Sequence, residues 1–185
     1  MADKKAYQSE VEIPEGVSVT YEENMLKAKG PKGETEKKLV HPRLSVKIEG
    51  QKIILSAPLA GTSARDKMHG NTFRSHMNNL VKGVVQGYTA KMKICSGHFP
   101  MTVTTDGKRV IVKNFFGEKV PRTSNVMPGV KVAVQGDEIT LEGLNKEAVS
   151  QMAARIELST KITNRDKRTF QDGCYITQKA VLNDE

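Results

Sequence analysis

The chain has 185 residues, a formal net charge of +8, 37% hydrophobic and 5% aromatic residues, and no Trp. That length holds one large domain or two small ones, and the composition allows modest cores rather than one thick core. No apolar run is long enough to cross a bilayer, the N-terminus lacks the apolar stretch of a signal peptide, and the distant pair Cys95 and Cys174 is no disulfide framework. These features predict a reduced, cytosolic protein. A pI near 9.5 favours an acidic partner, nucleic acid or an anionic surface. Residues 1–88 and 89–185 each carry a net charge of +4, so the basicity is not a single tail. It gathers at residues 27–43, 82–122 and 161–168.

Residues 1–10 are polar and are expected to fray. Val17, Val19 and Tyr21 alternate with Ser18 and Thr20 as in a half-buried strand, and residues 25–29 return as a second one. Gly30-Pro31-Lys32-Gly33 breaks the pattern. A strand pair follows at residues 44–48 and 52–56. A helix starts after Gly61, with Ser63 and Asp66 spaced as a capping box and Phe73, Met77, Leu80, Val81 and Val84 at helical spacing. Gly87 is its predicted stop. The same order of elements then recurs. Strands are expected at 91–94, 101–105 and 109–113, the last two joined by Asp106-Gly107, a hairpin signal. A breaker at Phe115-Phe116-Gly117-Glu118 precedes a strand pair at 130–134 and 138–142, and a second helix starts with Asn145 as N-cap. Val149, Met152, Ala153 and Ile156 share one face of that helix.

The repeat is legible residue by residue. Residues 46–55 (VKIEGQKIIL) align with 132–141 (VAVQGDEITL), with Val46/Val132, Gly50/Gly136, Ile53/Ile139 and Leu55/Leu141 identical. The upstream Gly33-Glu34 and Gly117-Glu118 also correspond. The prediction is an α+β fold of two tandem duplicated domains, 1–88 and 89–185. Each is an antiparallel β-sheet with one face packed by an α-helix. Residues 161–175 (KITNRDKRTFQDGCY) have no counterpart in the first copy and are expected to form a basic arm ending in a short strand, 174–177.

Residues 91–122 hold seven basic residues against two acidic ones, with Phe99, Phe115 and Phe116 among them. Basic residues interleaved with aromatics suit phosphates and unstacked bases, although for the phenylalanines taken alone a place in the core is the leading reading. Cys95-Ser96-Gly97-His98 lacks the four ligands and spacing of a zinc site, and nothing in the sequence marks an orienting group or pocket for a Cys–His nucleophile. No phosphate-binding loop and no acid/base carboxylate pair stand out. The pattern argues for binding rather than catalysis, with no cofactor, metal or small-molecule substrate and no membrane association. An enzyme using Cys95 and His98 and a free RNA-binding regulator are the competing readings.

Several landmarks carry a resemblance. They are Val11-Glu12-Ile13-Pro14, Lys29-Gly30-Pro31-Lys32-Gly33, Met77-Asn78-Asn79-Leu80-Val81-Lys82-Gly83-Val84, His98-Phe99-Pro100, Asn114-Phe115-Phe116-Gly117-Glu118-Lys119 and Met127-Pro128-Gly129-Val130. In this order the chain resembles the universal large-subunit ribosomal protein six family, in its archaeal and eukaryotic branch (numbered nine in eukaryotes), over about residues 11–177. The basic pI and the absence of a nuclear-type basic tract point to the archaeal side.

The resemblance implies two similar α/β domains and binding to large-subunit ribosomal RNA, chiefly through the second. It also implies a cytoplasmic, ribosomal location near the factor-binding region, close to the sarcin–ricin loop and stalk base. Neighbouring ribosomal proteins and translational GTPases would lie nearby. The family's RNA-contacting C-terminal segment corresponds to residues 163–175. The bacterial Pro- and Gly-rich version is replaced here by NRDKRTFQDG, so bacterial contacts do not transfer residue for residue. The candidate RNA contacts are Lys91, Lys93, Lys119, Arg122, Lys161, Asn164, Arg165, Lys167, Arg168, Phe170 and Gly173. The arginines suit bidentate phosphate contacts and the lysines act as point charges, while Phe170, and with less support Phe116, could stack on a base.

Overall fold

Six strands and a helix form the first part of the chain: β1 (Gln8–Glu12), β2 (Ser18–Glu22), β3 (Met25–Gly30), β4 (Gly33–Lys38), β5 (Ser45–Glu49), β6 (Lys52–Ser56) and α1 (Ala64–Val85). The same series recurs as β7 (Tyr88–Cys95), β8 (Thr102–Thr105), β9 (Arg109–Lys113), β10 (Arg122–Asn125), β11 (Val130–Gln135), β12 (Glu138–Gly143) and α2 (Lys146–Ser159), followed by one further strand, β13 (Gly173–Leu182). These elements come from a computed structural model that describes residues 7–57, 63–166 and 168–183. The chain divides into two units between Gln86 and Gly87. Gly87, at φ +77°, takes the left-handed conformation that ends α1, and Tyr88, assigned to the first copy from sequence, opens β7 of the second.

Both units are α+β and antiparallel, and in each the strands divide between two sheets. In the first, the sheets run β1-β6-β5 and β2-β3-β4, and in the second β11-β12-β7-β13 and β10-β9-β8. The correspondence is strand for strand, because β5-β6-β1 matches β11-β12-β7 and β2-β3-β4 matches β8-β9-β10. The second unit adds β13 beside β7, at the edge that β1 leaves open in the first. The hairpins β5-β6 and β11-β12 are the aligned repeat segments.

Local chemistry explains the helices. Ser63 and Asp66 form the expected capping box, with the Asp66 amide donating to Ser63 Oγ at 3.2 Å and the Ser63 amide donating to Asp66 Oδ2 at 2.9 Å. Asn145 Oδ1 accepts from the amides of Glu147 and Ala148 at 2.9 and 3.4 Å. α1 turns Met77, Leu80, Val81 and Val84 onto Val11, Leu26, Ile53 and Leu55. α2 turns Val149, Met152, Ala153 and Ile156 onto Ala90, Met92, Ile139 and Leu141. Fully burying one such side chain contributes about 1.5–3 kcal/mol. Among the described residues no helix is long and apolar enough to cross a membrane.

Several strands differ from expectation, among them β10, which pairs with β9 where no strand was predicted. Residues 8–10 do not fray but pair in β1, from Gln8 opposite Ser56 to Glu12 opposite Lys52, because Val11 is buried and Glu10 meets Lys52 at 3.0 Å. Residues 1–6 of the predicted frayed segment lie outside the described residues. Gly30-Pro31-Lys32-Gly33 is a hairpin turn, with Gly30 opposite Gly33, and the strand resumes as β4. The highly charged run GETEKK pairs all the same, since its glutamates face outward. β13 extends to Leu182 rather than ending at 177, because Ala180 returns to the core beyond an irregularity in the ladder.

Candidate nucleic-acid interface

The distinctive chemistry of the second unit lies on two segments that the first unit lacks: the connection at residues 114–121 and the arm at 160–172. In the first unit, β3 and β4 join by a two-residue turn. In the second, β9 and β10 are separated by a single 3₁₀ turn over Phe115–Gly117. Asn114 and Phe116 there hold φ +59° and +50°. For a bulky residue such as Phe116 this conformation costs roughly 1–2 kcal/mol, and strain of this kind gathers at functional sites. The turn sends two consecutive rings in different directions. Phe115 is buried, whereas Phe116 stays half-buried, packed edge-on to Phe115 at 4.8 Å.

Each ring carries one arginine. The Arg122 guanidinium lies 4.2 Å from the Phe115 centroid. It donates to Glu118 through Nε and Nη2 at 2.8 and 2.6 Å, and through Nη1 to the carbonyls of Ser159 and Lys161 at 2.9 and 3.3 Å. That pairing holds the Glu118 carboxyl below the ordinary range. Arg122 was a candidate phosphate contact, but its fork is occupied tying the 114–121 connection to the end of α2. The Arg165 guanidinium lies 5.3 Å from Phe116 and 5.1 Å from Phe170. Among the described residues Arg165 has no carboxylate partner, so its five donors remain available.

The ring cluster is fixed from the other side by a carboxylate. Phe170 packs on His98 at 4.8 Å and edge-on to Phe116 at 5.8 Å. His98 Nδ1 is 3.3 Å from Asp172 Oδ1, which also accepts from the Gly97 amide at 2.7 Å, while Oδ2 accepts from the His98 amide at 3.3 Å. Asp172 is 2% exposed. Burial by itself would raise its carboxyl, but the Gly97 amide, the His98 ring and the His98 and Phe99 amides together hold it below the ordinary value. Asp172 thus clamps the loop after β7 to the start of β13. Gly173 follows at φ +153°, and a Cβ there would meet the Thr160 carbonyl and the Tyr175 ring at 3.4 Å.

The remaining candidates fall into distinct settings. Lys91 and Lys93 project from the exposed face of β7, opposite Thr140 and Glu138 of β12 and Gln178 and Tyr175 of β13. Lys119 and Lys161 are exposed. Asn164 is exposed at φ +59°, turning the arm just before Arg165. Arg168 pairs with Asp166 through Nε and Nη2 at 3.3 and 3.2 Å, although its side chain is 91% exposed. The Arg168 amide and side chain hold the Asp166 carboxyl low. Gly173 is buried, so it shapes the backbone rather than offering a contact surface. Lys167 lies outside the described residues.

Sequence reasoning missed His98 and Asp172 as partners. They stand 74 positions apart, and no local pattern links them. Phe99, 45% exposed beside Gly117, is the most open phenylalanine of the region. Of the two cysteines, Cys95 is half-buried and Cys174 fully buried, where burial pushes the Cys174 thiol up to about 11, while the His98 ring is held by Asp172. No group of three or more metal-ligating side chains occurs among the described residues.

The family model for Ribosomal protein L6 matches the chain twice, at residues 13–87 and 99–173. Curated relatives described as large ribosomal subunit protein uL6 match nearly end to end. The Methanosarcina mazei protein is 44% identical over 92% of this chain and 96% of its own length. The Methanobrevibacter smithii protein is 41% identical over 94% and 97%, and that of Aeropyrum pernix 40% identical over 93% and 94%. These relatives are archaeal, as the resemblance indicated. The chain belongs to the ribosomal protein L6 family.

Proposed function

From that membership we propose that the chain is a structural component of the large ribosomal subunit that binds ribosomal RNA, mainly through its second unit. It has no catalytic role in this reading. Its position is near the translation-factor-binding region, by the sarcin–ricin loop and stalk base, with neighbouring ribosomal proteins alongside and translational GTPases passing close by. The observation that carries the RNA contact is Arg165, a guanidinium with no carboxylate partner among the described residues, held over two rings on an arm that the first unit lacks. Lys91, Lys93, Lys119, Lys161 and Asn164 supply surrounding charge and polar contacts, and Lys167, outside the described residues, is proposed with them from the sequence alone. Arg168 adds a weaker contact because Asp166 competes for it. Arg122 and Gly173 act from beneath by shaping the surface.

Phe170 is engaged by His98 and by Arg165, so in this proposal it supports the guanidinium rather than receiving a base. Each phosphate that a cation neutralises releases counterions, and affinity falls steeply with salt. The test is sedimentation of a native lysate on a sucrose gradient before and after a high-salt wash. Co-migration with the large subunit at moderate salt is expected. Migration only as a small free protein would reject the proposal in favour of the free RNA-binding regulator.

A further inference from the structure

We infer that Asp172, a buried acid that touches no RNA itself, is the positioning residue of the RNA-binding surface. It rests on the reading of the second unit as the RNA-contacting one. The chain of contacts is continuous. Asp172 receives the Gly97 and His98 amides and the His98 ring, His98 packs on Phe170, and Phe170 with Phe116 carries Arg165. Elsewhere the arm bearing Arg165 is held at its base, where the Lys161 carbonyl accepts from Arg122, and at a turn, where the Asp166 carbonyl accepts from the Thr169 and Phe170 amides. Asn164, Arg165 and Asp166 are exposed, and Ile162 is buried but lies three residues before the guanidinium.

A long arginine side chain free in solvent loses much rotamer freedom when it binds. One already laid across two rings presents its planar fork with part of that cost met in folding, and a guanidinium over an aromatic face keeps its in-plane donors for phosphate oxygens. Without the carboxylate, the 95–98 loop and the His98 ring lose their common anchor. The ring stack under Arg165 then loses its outer wall.

The sign of the effect separates positioning from simple electrostatics. Asp172 is an anion close to a proposed polyanion-binding surface. By charge alone, Asp172→Asn should tighten RNA binding. As a positioning residue its loss should weaken binding. The probe is protein-free large-subunit ribosomal RNA, bound to the full-length protein across a salt series. Arg165→Ala is expected to weaken binding about tenfold, in the range of one charge-assisted contact, and to flatten the salt slope by about one phosphate contact. Asp172→Asn is expected to weaken binding to a similar degree, and the double variant to be no weaker than Arg165→Ala.

Binding by Asp172→Asn that equals or exceeds the parent overturns the inference, and so does a loss that adds in full to that of Arg165→Ala. If Asp172→Asn does not fold, as judged by circular dichroism, His98→Ala decides. It removes the same link without touching the carboxylate. Weakened binding supports the inference, and unchanged binding overturns it. An Arg165→Ala protein with parental affinity and salt slope would instead reject the RNA-contact role of the arm itself. The two failures therefore read differently.

Discussion

The two units share one plan and differ in what is attached to it. Each has six strands in the same order, two sheets and one capped helix over the core. The first joins β3 to β4 by a two-residue turn and leaves β1 at the sheet edge. The second replaces the turn with residues 114–121 and adds, after α2, the arm 160–172 that leads into β13 at the corresponding edge. Those two additions bring together Phe115, Phe116, Arg122, Arg165, Phe170 and Asp172. Duplication supplied a rigid scaffold twice, and the candidate interface was built on segments that only one copy carries. A repeated fold does not imply a repeated function, because function sits in the site grafted onto it.

The strongest way to break this comparison is to damage each core equally. Met77 and Met152 are both fully buried under their helices. Met77→Ala and Met152→Ala should each cost about 2–5 kcal/mol, read by denaturant unfolding with hydrogen exchange resolved by unit. If the second unit carries the interface, Met152→Ala should weaken RNA binding and Met77→Ala should leave it nearly unchanged. Equal losses would mean that the first unit, with its basic 27–43 region, belongs to the interface too.

The next effect separates the units by pH. Burial raises the Cys174 thiol to about 11 and the Tyr88 phenol to about 12. The fold favours the neutral forms of both groups, so their contribution is fully present below their ordinary values. It is lost as pH rises from about 9 to 11 for Cys174 and from about 10 to 12 for Tyr88. Each loss is at most about 3 kcal/mol. In the first unit the buried titratable group among the described residues is Asp66, which the Ser63 amide and hydroxyl and the Arg43 charge hold low. It acts at the acid end, where stability falls as pH drops through the depressed value. The exposed Lys52–Glu10 pair also weakens in alkali but contributes little. Methyl resonances of Met77 and Met152, followed in mild denaturant as pH rises, should show the second unit unfolding first. Simultaneous loss of both signals would refute the separation.

Most of the scaffold was legible in the sequence because it rests on local periodicity and short-range chemistry. Ser63 with Asp66, Asn145, Asp106-Gly107 and the apolar faces of both helices act within a few residues of themselves. The aligned hairpins declared the duplication. β4 and the short β10 (RTSN) were hidden because their residues are largely polar, and pairing there is set by the neighbouring strand rather than by side-chain pattern. The site was legible only as composition. Sequence marks Arg122, Arg165 and Arg168 as three equivalent cations. Whether a guanidinium is consumed by Glu118, shared with Asp166 or left open depends on tertiary geometry. The same holds for Asp172, which in sequence is one more scattered acid.

The pair of arginines on consecutive phenylalanines gives the sharpest test within the second unit. Arg122 lies over Phe115, binds Glu118 at two points and satisfies the carbonyls of Ser159 and Lys161. Arg122→Ala removes these together and should lower stability by about 1–3 kcal/mol. Because that fork already has its partners, the folded variant should keep the parental salt slope for ribosomal RNA. Arg165→Ala should do the reverse, flattening the slope while changing stability by no more than about 1 kcal/mol, the worth of an exposed cation–π contact. The two variants therefore cross in a plot of stability against salt dependence. If Arg122→Ala also flattens the slope with the fold intact, its guanidinium must exchange Glu118 for phosphate on binding. The division between a structural and a binding arginine would then give way to a switch between two partners.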